Sequence, residues 1–342
     1  MVAMLLLLVL LLPTTDKAGA QFTGVCNGGN NFLSAREIVD LYKSYGIGRM
    51  RIYEPNQATL QALRGSNIEL ILGVPNSDLQ VLAFDASAAT QWVQRNVRAY
   101  SPNVKFRYIS VGNEVDPNAG TGQFVEFVLP AMQNIHNAIV AAGLQDQIKI
   151  STVTYMGLLG NSYPPSQGAF RDNARWFMEP IISFLVNNSA PLLANIYPYF
   201  SYIANPQNIP LPYALFTAEK VFVRDGSLEY RNFFDALLDS MYSAVEKVGG
   251  RSLEIVVSET GWPSEGGTAA TVGNASTYHR NLMNHVKGGT PKRPERAIQT
   301  YLFTMFDEYQ NAEYFGLFSP YKQPKYQISF KLASFYLFCP VK

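Results

Sequence analysis

Tyr108-Ile109-Ser110-Val111-Gly112-Asn113-Glu114 runs from a nearly continuous apolar stretch straight into an amide and a carboxylate. An apolar run without polar alternation reads as a strand covered on both sides, the pattern of a parallel sheet. Residues 106–112 form such a run, and it recurs at 22–26, 49–53, 69–74, 149–154, 192–196, 253–258 and 301–306. Between these runs, apolar residues fall at three- and four-residue spacing over 34–45, 86–100, 124–142, 174–186 and 230–248, which predicts helices. The first helix opens with Ser34 and carries Glu37 three positions on, a capping box. Strand followed by helix, eight times within about 300 residues, predicts an α/β fold of the (β/α)8 TIM barrel type. A doubly wound sheet is the competing arrangement. It lacks support here, because no glycine-rich dinucleotide or phosphate loop follows the first strand, where Gly28-Gly29-Asn30-Asn31 reads as a turn cluster.

Composition narrows the function classes. The chain has 342 residues, 47% hydrophobic and 15% charged, long enough for a sizeable core and too apolar to be disordered. Lys and Arg number 27 against 26 Asp and Glu, so no net field draws the protein to nucleic acid or an anionic membrane. His136, His279 and His285 are scattered, as are Cys26 and Cys339, which argues against a zinc site and a disulfide framework. Cys26 and Cys339 could pair, but nothing in the sequence requires it. Residues 1–20 read as a signal peptide: the apolar run 4–12 is too short to span a bilayer, and Ala18-Gly19-Ala20 has the small-x-small pattern of a cleavage site. A single (β/α)8 domain is expected over 21–330, with the apolar tail 331–342 open between a clipped sorting segment, a docked terminal strand and an annotation artefact. On a secretory route, Asn187-Asn188-Ser189 and Asn274-Ala275-Ser276 are candidate glycosylation sites. Residues 197–226, rich in Pro, Tyr, Phe and Asn, form a small elaboration after strand six, expected to line a cleft.

Glu114 has a counterpart. Leu253-Glu254-Ile255-Val256-Val257-Ser258-Glu259-Thr260-Gly261-Trp262-Pro263 is another apolar strand ending in a carboxylate. In a barrel the C-terminal strand ends share one opening, and a charge there is costly without a partner or a task. Either glutamate alone could be a strand-end ion pair. Together, on facing strands four and seven, two carboxyls roughly 5 Å apart would suit a nucleophile and a general acid/base at a glycosidic carbon. A metal or Ser-His-Asp centre is disfavoured because the histidines fall in expected helices.

The chain closely resembles the plant endo-1,3-beta-glucanases of glycoside hydrolase family 17. The resemblance rests on Arg49-Met50-Arg51-Ile52-Tyr53, Val111-Gly112-Asn113-Glu114, Asn195-Ile196-Tyr197-Pro198-Tyr199-Phe200, Ser258-Glu259-Thr260-Gly261-Trp262-Pro263 and Phe315-Gly316-Leu317-Phe318, which stand in family order over 22–330. It implies a barrel with a long groove cutting internal 1,3-β-D-glucosidic linkages with retention, Glu114 as acid/base and Glu259 as nucleophile. Asn113 would bond the sugar 2-hydroxyl or orient the acid. Some relatives also cut mixed 1,3;1,4 glucans. The implied substrate is plant callose or fungal wall β-1,3-glucan, acted on by a secreted monomer that needs no cofactor or metal. The destination is the extracellular space or cell wall, with the vacuole as alternative.

Around the two carboxylates, Tyr53 is expected to point its hydroxyl into the mouth. Tyr197 and Tyr199 are expected as sugar platforms, Trp262 as a groove wall, Phe200 as core, and Glu308 as a third carboxylate. The match departs from the family at two places on this face. Asn27 stands where relatives usually carry Tyr, and after Glu308 the usual lysine is absent and the loop is short, with Glu313 as a substitute carboxylate. No cation is therefore expected beside Glu259 and Glu308. These departures keep two alternatives open, a catalytically impaired glucan-binding protein and a glucanosyltransferase on the same scaffold.

Overall fold

The computed structural model describes residues 22–28, 32–308 and 313–330. The expected signal peptide, the tail 331–342 with Cys339, and Asn311 all lie outside the described residues. Eight parallel strands close into a barrel: β1 (Thr23–Cys26), β2 (Arg49–Ile52), β3 (Glu69–Val74), β4 (Lys105–Asn113), β5 (Lys149–Tyr155), β6 (Leu192–Asn195), β7 (Ile255–Thr260) and β8 (Thr300–Leu302). Each pairs with its sequence neighbour, and β8 returns to β1 through Thr23↔Thr300 and Val25↔Leu302. The TIM-barrel expectation is met.

The apolar strand runs have a simple origin. Alternate side chains point to opposite faces, and both faces are covered. Cys26, Ile71, Tyr108, Val153, Leu193, Val256 and Tyr301 fill the barrel interior. Their neighbours Leu70, Leu72, Ile109, Val111, Ile255 and Val257 pack under the outer helices.

Four helices fall near their expected spans, Ala35–Tyr45, Val125–Ala141, Asp172–Asn187 and Phe233–Lys247, and Val272–His285 forms a further one outside the expected spans. The capping box is formed. The Glu37 N–H donates to Ser34 Oγ (3.3 Å), and the Ser34 N–H donates to Glu37 Oε2 (3.0 Å). The stretch 86–100 is helical as Ala86–Val93, then loosens into a π turn at Gln94–Arg98. All three histidines sit in helices, His136 in one and His279 and His285 in another.

Strand boundaries differ most at the end of the chain. β8 stops at Leu302, and β7 extends through Glu259 to Thr260, so the second carboxylate stands within a strand. Residues 197–226 fold into the helices Pro198–Ala204 and Leu211–Ala214, and Val223–Asp225 then pairs with Leu228–Tyr230. A second elaboration follows β5, where Leu159–Asn161 pairs with Ala169–Phe170. The two are tied by Asp225, which accepts from the Ser166 N–H (2.6 Å) and hydroxyl (2.8 Å). Of the candidate sequons, Asn187 is exposed at a helix end. Asn274 lies in the first turn of a helix and donates its side-chain amide to the Ala269 carbonyl (2.9 Å).

At the mouth the β2–β3 seam needs a residue without a side chain. A Cβ on Gly73 would stand 2.2 Å from the Tyr53 carbonyl oxygen, closer than any contact backbone can accept. Gly73→Ala should therefore force the strands apart and cost roughly 1–3 kcal/mol, the usual penalty for overpacking. Urea unfolding measures it, and an unchanged midpoint would show that the seam is looser than described.

Candidate active site

Both carboxylates reach the mouth by local backbone devices. Beyond β4, Gly112 (φ 80°) and Glu114 (φ 49°) take left-handed conformations, which turn the chain abruptly out of the strand. The turn is pinned on three sides. Asn76 brackets the Asn113 backbone, accepting from its N–H (2.8 Å) and donating to its carbonyl (2.9 Å). The Glu114 N–H donates to the Val153 carbonyl (3.0 Å), and the Thr121 hydroxyl donates to the Glu114 carbonyl (3.0 Å). A non-glycine residue held at positive φ is strained, and such strain gathers at functional sites. Glu259 is fixed differently, inside β7, where its carbonyl accepts from the Ile196 N–H (2.9 Å) and the β6–β7 register shifts between Val257 and Glu259.

The two groups have opposite surroundings. Glu259 Oε1 accepts from Arg51 Nη1 (2.8 Å) and the Tyr53 hydroxyl (2.8 Å), and its Oε2 accepts from the Tyr197 hydroxyl (2.8 Å). Arg51 is 1% exposed and reaches across the barrel from β2. Its guanidinium also donates to Asn195 Oδ1 (3.2 Å), the Ser258 carbonyl (3.0 Å) and Asn113 Oδ1 (2.7 Å), and lies 4.5 Å from the centre of the Tyr53 ring. Burial and the neighbouring Glu259 charge hold the Tyr53 and Tyr197 phenols well above their ordinary range, so both stay protonated donors. Among the described residues, Glu114 has no cation of its own in contact. Burial, then repulsion from Glu259, pushes its carboxyl up to about 7, against the Asn195 amide, which donates to Oε1 (2.7 Å). One carboxylate is thus paired and fully hydrogen-bonded, while the other is held near neutrality as an acid.

Glu114, Glu259, Tyr197, Tyr155, Phe200 and Glu313 line a cleft of about 570 Å³ in the mouth. Asn113 touches Arg51, and the amide on Glu114 belongs to Asn195 instead. The shell otherwise differs from the sequence reading in several ways. Trp262 is fully buried and donates its indole N–H to the Ala269 carbonyl (2.9 Å), so it cannot be a groove wall. Tyr199 is likewise fully buried, edge-on to Trp262, and offers no sugar platform. Tyr199 instead supports the cleft from behind, packing edge-on against Phe200 and Phe315, which line it. Phe200, read as core, is 44% exposed and lines the cleft. Glu308 stands over Gly28, where a Cβ would lie 1.8 Å from its Oε1, on the β1 side of the mouth. Asn27 is buried beside it, bordering a smaller pocket of about 390 Å³ with Tyr53, Glu54 and Asn56.

The expected lack of a cation is overturned for Glu259, which pairs with Arg51. A second cation, Lys325, salt-bridges Asp307 (2.7 Å), next to Glu308 in sequence. Arg51 and Asn195 were the residues missed as site members. The available signal was a basic side chain inside a buried strand, which must find a partner.

A parallel eightfold barrel with one charge-paired and one acid carboxyl at the ends of its fourth and seventh strands is the arrangement of an enzyme that cleaves glycosidic bonds. The chain belongs to the glycosyl hydrolases family 17, whose model matches residues 23–330. It is 62% identical over 332 residues to a glucan endo-1,3-beta-glucosidase of Vitis vinifera, covering 95% of this chain and 96% of that one. It is 56% identical over 332 residues to a basic vacuolar isoform from Nicotiana tabacum, covering 95% and 90%. Among solved structures, a plant β-glucan endohydrolase superposes with a TM-score of 0.86 at 47% identity, covering 90% of this chain and 99% of its own. A β-1,3-glucanase and allergen of Cryptomeria japonica pollen superposes with a TM-score of 0.88 at 43% identity, covering 91% and 100%.

Two outcomes follow from the charge arrangement. Arg51→Met should destabilise the protein by roughly 3–5 kcal/mol, because Glu259 would be left buried without its counter-charge. Urea unfolding measures the loss, and an unchanged midpoint would show that Arg51 is not what compensates the buried Glu259 charge. For Glu114, a folded-state pKa of about 7 stands above the ordinary 4.5. Its contribution to stability is thus fully present below about 4.5 and lost as pH rises through 7. Glu114→Gln should therefore melt with wild type near pH 4 and above it at pH 8, and a constant difference across that range would contradict the burial of this carboxyl.

Proposed function

We propose that the chain hydrolyses internal 1,3-β-D-glucosidic linkages of β-1,3-glucan by double displacement, with Glu259 as nucleophile and Glu114 as general acid/base. The observation that carries this reading is the asymmetry between the carboxyls. Glu259 Oε1 takes two donors, which leaves Oε2, with one hydrogen bond from Tyr197, as the freer oxygen for attack. In the first step Oε2 bonds the anomeric carbon, the glycosidic C–O bond breaks, and the Glu114 proton passes to the departing sugar oxygen. In the second step the Glu114 carboxylate takes a proton from water, whose oxygen displaces Glu259 from the same carbon. The Glu114 pKa rises to about 7 before reaction, and neutralising Glu259 in the ester removes a repulsion that raises it. That change of charge suits the switch from acid to base. Residues 1–20 support export, with the extracellular space or wall as destination. The similarity to a vacuolar relative keeps the vacuole as the alternative.

Laminarin digestion should release oligosaccharides from internal cuts, with the β-anomer appearing first by NMR, and an α-anomer would overturn the mechanism. Glu259→Gln leaves the buried Arg51 without its counter-charge and should be less stable than wild type; in its folded fraction turnover should fall by about a thousandfold or more. Glu114→Ala should be slow on glucan yet far less impaired on an aryl β-glucoside, whose leaving group departs without a proton. Azide should return a β-glycosyl azide from that variant. Equal losses on both substrates, with formation of the glycosyl-enzyme limiting each, would remove Glu114 from its role.

A further inference from the structure

Tyr155 lies at the C-terminal end of β5, beside the strand that carries Glu114, and its ring lines the cleft. Unlike Tyr53 and Tyr197, its hydroxyl does not touch a reacting carboxylate. It donates to Asp116 Oδ2 (2.5 Å), and Asp116 Oδ1 accepts from Arg171 Nη2 (2.5 Å) and the Asn118 N–H (2.8 Å). Asp116 is 2% exposed, so its charge is removed from water and must be compensated where it stands. Arg171 supplies the compensation from the end of the hairpin after β5, where its N–H donates to the Leu158 carbonyl (2.9 Å). The ring is fixed from the other side as well. A Cβ on Gly157 would lie 2.3 Å from Tyr155 Cε2 and 2.6 Å from its Oη, so the ring lies directly over the Gly157 backbone. An aromatic ring in an open cleft, held by a buried carboxylate paired with a half-buried arginine and by bare backbone behind, loses little rotamer entropy when a ligand stacks on it.

From this geometry we infer that Tyr155 is the stacking platform for the sugar on the leaving-group side of the scissile bond, with Asp116 and Arg171 as its positioning residues. The inference rests on the assignment of Glu114 as the acid. The side follows from neighbours: Tyr53 and Tyr197 bond Glu259, whereas Tyr155 ends the strand paired with β4, two residues beyond Val153, whose carbonyl accepts from the Glu114 N–H (3.0 Å), and both side chains line the same cleft. The group that receives the Glu114 proton therefore sits against this ring. A flat apolar face suits the axial C–H surface of a β-glucosyl unit, and the same surface would hold an incoming sugar acceptor in the reverse step.

β-Laminaribiosyl fluoride separates these functions, because fluoride leaves without filling the leaving-group subsite. Hydrolysis and transfer to added laminaribiose then share Glu259 and Glu114 and differ only in whether an acceptor sugar must bind. Tyr155→Ala should hydrolyse the fluoride within about threefold of wild type, while the laminaribiose concentration needed for half-maximal transfer rises roughly tenfold. Asp116→Asn should shift the same ratio in the same direction by a smaller factor, and Tyr155→Phe, which keeps the ring, should restore most of it. Parallel losses of hydrolysis and transfer would overturn the inference, as would an unchanged transfer ratio in Tyr155→Ala. Should wild type release the fluoride sugar with inverted configuration, the failure would belong to the retaining mechanism and not to Tyr155.

Discussion

The mouth of the barrel is organised around one buried ion pair. Arg51 enters from β2 and meets Glu259 on β7, on the far side of the ring, with both side chains largely removed from water. Burying two charges costs several kcal/mol per ion unless the geometry is good and the remaining donors are satisfied. Asn113, Asn195 and the Ser258 carbonyl accept from the two terminal guanidinium nitrogens, the Tyr53 ring covers the guanidinium face, and the buried Nε–H has no partner among the described residues. Strands β2, β4, β6 and β7 each contribute to this one polar layer. A one-residue slip in any of them would turn its contributor out of the barrel and leave a charge unpaired. The pair therefore ties strand register to the position of the Glu259 carboxylate.

The same layer sets the second carboxyl. Asn195 links the two, accepting from Arg51 through its carbonyl oxygen and donating to Glu114 through its amide. Its Oδ1 also accepts from the Ser258 hydroxyl (2.8 Å), and because a guanidinium only donates, the Arg51 contact requires the oxygen on that side. Glu114 thereby receives one hydrogen bond and the repulsion of a charged neighbour, but no direct cation. An acid poised near neutrality beside a charge-paired carboxylate emerges from a single hydrogen-bonded chain rather than from two separate environments.

Much of this was legible in the sequence. Parallel strands buried on both faces leave unbroken apolar runs, so all eight appeared, and Ser34 with Glu37 announced the first helix. Glu114 and Glu259 stood out because a carboxylate at the end of an apolar strand has few inexpensive reasons to be there. Arg51 did not stand out. It shares Arg49-Met50-Arg51-Ile52 with a second arginine, and Arg49 spends its charge on Glu69 (2.8 Å) at the opposite end of the barrel. Only the closed ring shows which arginine reaches the mouth. Trp262 and Tyr199 were misread because proximity in sequence to a reacting group gives no depth. A large ring near the nucleophile can line the cleft or be buried away from it, and here both are buried. The missing lysine after Glu308 misled for a related reason: a charge lost from one loop can be supplied from distant sequence, as Arg51 and Lys325 show.

The account turns on Glu259 forming a covalent bond from within the Arg51 network, and trapping tests that most directly. A 2-deoxy-2-fluoro-β-laminaribiosyl fluoride slows the second step, so the ester should accumulate and peptide mass spectrometry should find the fluorosugar on Glu259. Arg51→Met should label more slowly at the same site, because the carboxylate loses the donor that holds its Oε1 in place. A label on Glu114, Glu308 or Glu313, or time-dependent turnover with no label at all, would contradict the account.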